Sequence, residues 1–128
     1  GEFHGTRVLL LGDLGRPGQE KLMLRETNLQ ADIVITGLPE QGEALCDGLL
    51  ERLKPRLIVV ADSEFPATKR AKPALLERLA RQPAQVLCTR STAAVTLHFK
   101  PGEWRVVPMH DALPTLPPSP GINTAGKP

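Results

Sequence analysis

The chain has 128 residues, enough for one domain with a modest core, and its hydrophobic fraction of 41% lies a little below the usual globular range. Its aromatic residues are Phe3, Phe65, Phe99 and Trp104, with no tyrosine, which argues against a groove that stacks successive bases of a single strand. The net charge of +2 conceals an asymmetry: residues 1–51 carry four Lys/Arg against nine Asp/Glu, and residues 52–107 carry eleven against four, the balance of a surface that meets a polyanion.

In chain order, Gly1-Glu2-Phe3 reads as part of a vector-derived scar over residues 1–5, so the chain reads as an excised piece of a longer protein. Val8-Leu9-Leu10-Leu11 is an apolar run ended by Gly12-Asp13, the pattern of a buried strand over 8–11. Pro17-Gly18 breaks the chain, and Leu22 and Leu24 among charges predict a helix over about 18–28. Residues 32–36 read as a second strand. Ala44, Leu45, Leu49, Leu50 and Leu53 recur at three and four, which predicts an amphipathic helix closed by Pro55.

Residues 57–61 read as a third buried strand, and a polar loop follows from Asp62 to Lys72. Pro73 suits the first turn of a helix that continues through Leu75, Leu76 and Leu79. Residues 85–88 read as a fourth strand. Alternation over 93–99, the Pro101-Gly102 turn and a return over 103–107 predict a hairpin. The Pro-rich segment 108–128 has no periodicity and reads as a mobile tail. The expected fold class is α/β: a layered sheet of about six strands with three helices and a C-terminal β-hairpin over 6–107. No apolar run approaches the ~20 residues of a membrane helix.

Taken singly, the chemical motifs point away from catalysis. Asp13 follows a strand through a glycine, where α/β sheets place ligand contacts, but an aspartate there also caps helices. Gly12 to Gly18 is glycine-rich between strand and helix, yet it lacks the Gly-Lys-Ser/Thr and the glycine spacing of phosphate loops. His4, His98 and His110 are scattered, whereas a catalytic zinc needs about three converging protein ligands. Cys46 and Cys88 read as small buried hydrophobes. Lys69, Arg70 and Lys72 in the long loop, with Arg78 and Arg90 beyond it, form the candidate phosphate-contacting stretch.

The order of motifs resembles the metallo-β-lactamase-like domain of ComEC-type DNA-internalisation proteins. The residues that carry the likeness are Val8 to Asp13, Glu20 with Leu22 and Leu24, Ala31 to Val34, Pro55, Leu57 to Ala61, Pro73, Leu75 to Leu79, and Thr89 to Leu97. The resemblance implies half of an αββα fold in a domain of an inner or plasma-membrane protein of DNA uptake. Its departures are specific. Leu38-Pro39-Glu40-Gln41 fill the slot of the family's His-His-Gly-Ser, and Lys72 replaces the histidine before Pro73. Asp13 alone remains, as a vestigial ligand position. The resemblance therefore implies no catalytic residue, no metal and no cofactor. It implies a non-catalytic module that binds DNA or scaffolds its internalisation. Its partners would be the DNA backbone, the remainder of its own protein, or a second copy through the surface left by the missing half. Two alternatives are a metal-dependent hydrolase or nuclease completed by ligands upstream, and a binder of small phosphorylated ligands using Asp13 and loop 62–72.

Overall fold

The computed structural model describes residues 1–40, 42–63, 65–109 and 122–124. The strands are β1 (Glu2–Phe3), β2 (Thr6–Gly12), β3 (Ile33–Thr36), β4 (Leu57–Val60), β5 (Gln85–Cys88), β6 (Val95–Lys100), β7 (Glu103–Pro108) and β8 (Ile122–Thr124). The helices are α1 (Arg16–Arg25), α2 (Asp47–Leu53), α3 (Pro73–Ala80) and the single turn α4 (Thr89–Thr92).

The α/β class holds, but the strands divide between two sheets instead of forming one. A five-stranded sheet runs in the order β1-β2-β3-β4-β5, with β2 to β5 parallel and β1 antiparallel. The hairpin β6–β7 is antiparallel, and β8 adds to it in parallel to make a three-stranded sheet. Each parallel crossover moves one place in the same direction. Right-handed connections therefore carry α1, α2 and α3 to one face.

Alternate strand residues build two cores. Val34, Ile58, Val60 and Val86 face the helices and pack with Leu49, Leu50, Leu53, Leu75 and Leu79. Ile33, Leu57, Val59 and Leu87 face the other way and pack with Trp104 and Val106 of β7. The layers are thus helix, parallel sheet, second sheet. All four residues of β4 are buried, the signature of a central parallel strand covered on both sides.

Local chemistry corrects several expected boundaries. Pro17 and Gly18 lie inside the first turn of α1: proline suits that turn, and the missing Cβ of Gly18 leaves room for Leu14, whose Cδ1 would lie 2.2 Å from it. The helix ends at Arg25 because the Arg52 guanidinium reaches over from α2. It donates to the carbonyls of Met23 at 2.6 Å and Glu26 at 2.5 Å, satisfying groups that a helix end leaves orphaned. Helix α2 begins at Asp47, not near Ala44. Leu45 has a left-handed φ of 51° and Cys46 is extended, so the apolar pattern of Ala44 to Cys46 records a buried loop.

Structure extends into both end segments. Residues 1–5 belong to the fold: Gly1 exchanges backbone hydrogen bonds with Val8 at 2.8 Å, and the Phe3 ring stacks on Phe99 at 5.1 Å between centroids. Within the segment read as a mobile tail, Pro108 closes β7 and Ile122–Thr124 pair with Trp104 to Val106. Residues 110–121 and 125–128, His110 among them, lie outside the described residues. No helix among the described residues is long and apolar enough to cross a membrane.

Candidate functional site

The carboxyl ends of β2 to β5 open onto four connections, which is where open α/β sheets collect ligands. Asp13 is exposed just beyond β2. Its carboxylate lies against Gly37 beyond β3, so closely that a Cβ on Gly37 would sit 2.1 Å from Asp13 Oδ1. The Gly37 N–H donates to the Gly12 carbonyl at 2.7 Å, locking the two strand ends together. Beside them the β3–α2 and β4–α3 connections face each other across a cleft of about 140 Å³. Leu38, Pro39 and Glu40 line one wall, and Thr68, Arg70 and Lys72 line the other. Glu43 joins the first wall, so the cleft is acidic on one side and basic on the other.

The basic wall hangs from Asp62, buried just beyond β4. Its Oδ2 accepts the Ala71 N–H and its Oδ1 accepts the Arg90 N–H, each at 3.0 Å, while Arg90 Nε lies 3.5 Å from Oδ2. The Asp62 backbone is held as well. Its N–H donates to Thr89 Oγ1 at 3.0 Å, and that hydroxyl donates back to the Asp62 carbonyl at 2.7 Å. Asp62 therefore ties loop 62–72 to the start of α4.

The acidic wall hangs from two other residues. Gln19, fully buried on α1, donates Nε2 to the carbonyls of Leu14 and Glu43, each at 3.0 Å, and its Oε1 accepts the Cys46 N–H at 2.6 Å. Arg78 on α3 donates to the carbonyls of Ala44 and Leu45 and pairs with Glu43 and Asp47, each at 3.1 Å. Sequence reasoning missed Asp62 and Gln19 because a polar residue becomes an anchor only through partners far along the chain.

These contacts revise the basic stretch. Arg78 is directed at the 43–47 loop, its side chain only 17% exposed, so it is a structural cation and not a phosphate contact. Arg90 is occupied with Asp62. Lys69 and Lys72 are exposed on loop 62–72, with Arg70 half-buried between them. The structure therefore gathers Lys69, Arg70 and Lys72 in one place and sets Arg78 and Arg90 to other tasks.

Cys88, at the end of β5, sits beside this anchor. Burial pushes its thiol up to about 11, the Asp62 carboxylate adds to the rise, and the Arg90 guanidinium opposes it. A thiol held protonated is a poor nucleophile, so Cys88 should react with a disulfide reagent at pH 8 far more slowly in the folded chain than in urea. The folded value lies above the unfolded 9.0, so the folded state holds its proton more tightly. This contribution to stability is full below pH 9 and falls as pH rises from 9 toward 11, which unfolding midpoints across that window should show.

The chain matches no family model, no curated protein and no solved structure. A zinc centre needs three or four His, Cys or carboxylate ligands around one point. At this rim Asp13, Glu40 and Glu43 supply carboxylates, but Leu38 and Pro39 supply no side-chain donor, and the ammonium of Lys72 repels a cation. Among the described residues, no three His, Cys, Asp or Glu side chains come together, and His98 is exposed on the hairpin. The residues present do not fit a hydrolytic metal.

Proposed function

We propose that this chain is a non-catalytic, metallo-β-lactamase-like half-domain of a competence-type membrane protein, which scaffolds DNA internalisation and touches the DNA backbone. One observation carries the reading. The slots that the resemblance assigns to metal ligands, Leu38 to Glu40 and Lys72, meet across one cleft at the carboxyl ends of the parallel strands, where Leu38 and Pro39 offer no donor, Lys72 a repelling cation and Glu40 a single carboxylate. The core is Leu, Val and Ile packing on both faces of the sheet, so the fold does not depend on a metal. Leu10, 71% exposed on β2, is the apolar side chain against which the rest of the parent protein or a second copy would close.

Metal analysis and DNA titration test this together. After exhaustive dialysis the chain should retain no stoichiometric zinc or manganese. A retained equivalent that disappears in Asp13→Ala would restore the alternative of a metal-dependent nuclease. Duplex DNA should bind weakly and without sequence preference, through phosphate contacts from Lys69, Lys72 and the loop between them. With Arg78 and Arg90 engaged elsewhere, two or three contacts set the log–log salt slope at about −2 to −3. Lys69→Glu/Lys72→Glu should abolish the binding. No binding of duplex or single strand even at low salt would remove the DNA contact and leave the scaffold.

A further inference from the structure

We infer that strand β6 is an interface: two copies of the chain pair antiparallel along its free edge, Leu97 against Leu97, and join their second sheets into one. The inference goes beyond the functional reading above and does not depend on it.

A sheet edge exposes unpaired N–H and C=O groups, and the other edges here are short, buried or broken. β1 has two residues and β8 three. β5 is buried from Gln85 to Leu87, and the end of β2 carries a register shift between Leu10 and Gly12. β6 is different. It has six residues, pairs among the described strands with β7 alone, and keeps unbroken register from Val95 to Lys100. It contains no proline, and its lysine stands at its last position. The two-residue turn at Pro101-Gly102 makes Lys100 and Glu103 a hydrogen-bonded pair, and at the far end the Ala94 carbonyl accepts the Met109 N–H at 2.8 Å. Even-numbered residues therefore bond to β7, and Val95, Leu97 and Phe99 turn their N–H and C=O groups to the free edge. Those three side chains pack toward the core but are only half-buried, whereas Trp104 and Val106 on β7 are buried. The second layer ends before it covers them.

The strand that fits this edge is β6 itself. A two-fold axis across the sheet sets the same patch of both copies together with the strands antiparallel, and the free groups require odd-numbered residues to face odd-numbered ones. With Leu97 facing Leu97, Val95 faces Phe99, Thr96 faces His98 and Lys100 faces Ala94 of the second copy. Branched and aromatic side chains then meet across the inner face, and no two like charges are opposed. The neighbouring registers are worse. One sets His98 against His98 and Val95 against Pro101, which has no N–H to give; the other sets Phe99 against Ala93, outside the strand. Six residues a side is small against the roughly 20–30 of a stable interface, so the dimer is a reversible one.

Sedimentation velocity of the full chain should show a monomer–dimer equilibrium that shifts with concentration. Amide exchange then identifies the surface: protection at Val95, Leu97 and Phe99 should rise with concentration, while Thr96 and His98, already bonded to β7, stay unchanged. Oxidation tests the register. Thr96 and His98 are exposed on the outer face, and across the axis they form a non-hydrogen-bonded pair with Cα atoms about 4.5 Å apart, within the span of a disulfide. Thr96→Cys/His98→Cys should therefore give a covalent dimer, and Thr96→Cys alone should not, since it faces His98. The unaltered chain, with Cys46 buried and Cys88 half-buried, gives the background. Thr96→Lys/His98→Lys sets lysine against lysine and should weaken the dimer about 2- to 30-fold while keeping the unfolding midpoint. A monomer at every concentration with the three amides unprotected overturns the inference. A dimer that leaves them unprotected, or that Thr96→Cys alone cross-links equally well, uses another surface or register and overturns it too. Protection of the three amides at every dilution also overturns it and assigns the edge to a segment of the same chain.

Discussion

Asp62→Ala is expected to destabilise the fold by about 3 kcal/mol, measured as a lowered urea midpoint followed through the buried Trp104. The carboxylate is fully buried and accepts two backbone N–H groups, from Ala71 nine residues away and Arg90 twenty-eight away. Removing it strands both donors, at about 1–3 kcal/mol for each that water cannot reach. Arg90 would lose this ion pair as well, but its side chain is 22% exposed, which limits the total. Asp62→Asn should fall between: its amide oxygen can still accept from Arg90, while its NH₂ would meet the Ala71 N–H donor to donor. Amide exchange gives the local readout. Protection at Ala71 and Arg90 should collapse in Asp62→Ala before the parallel strands open. A loss under about 0.5 kcal/mol would mean that loop 62–72 is held by something other than Asp62.

Gln19→Leu should cost about 2–4 kcal/mol despite being a gain in hydrophobicity at a fully buried site. Three polar atoms would lose their partner together: the Cys46 N–H and the carbonyls of Leu14 and Glu43. The Cys46 N–H matters most, because Cys46 occupies the N-cap position of α2 and is itself buried. Gln19→Glu keeps an acceptor for Cys46 but gives up both donors and buries a charge, so it should rescue little near neutral pH. The predicted signature is a loss of stability with added exchange at residues 43–47, leaving the β6–β7 hairpin as protected as in the wild type. Full stability in Gln19→Leu would show that the 43–46 loop is held by Arg78 alone.

These two anchors separate what is legible in the sequence from what is not. Leu57-Ile58-Val59-Val60 declares a strand buried on both faces, because only a covered parallel strand can be apolar at every position. Pro73 with Leu75 and Leu79 declares α3, and Pro101-Gly102, with Gly102 at a φ of 75°, declares the hairpin turn. These are local rules of period and backbone sterics, and the sequence by itself determined the α/β class, the placement of most elements and the non-ligating chemistry of Leu38, Pro39 and Lys72. The tertiary structure alone decided the rest. The hairpin forms a second layer over Ile33, Leu57 and Leu87 because Trp104 and Val106 must bury their apolar faces somewhere. Ala44 to Cys46 imitate a helical stripe but are drawn into the core as a loop by Gln19 and Arg78. Arg78 and Arg90 read as free cations until Glu43, Asp47 and Asp62 arrive from 28 to 35 residues away to claim them. A side chain's role as anchor or as exposed charge is set by which partners folding brings within 3 Å or so, and no local pattern records that.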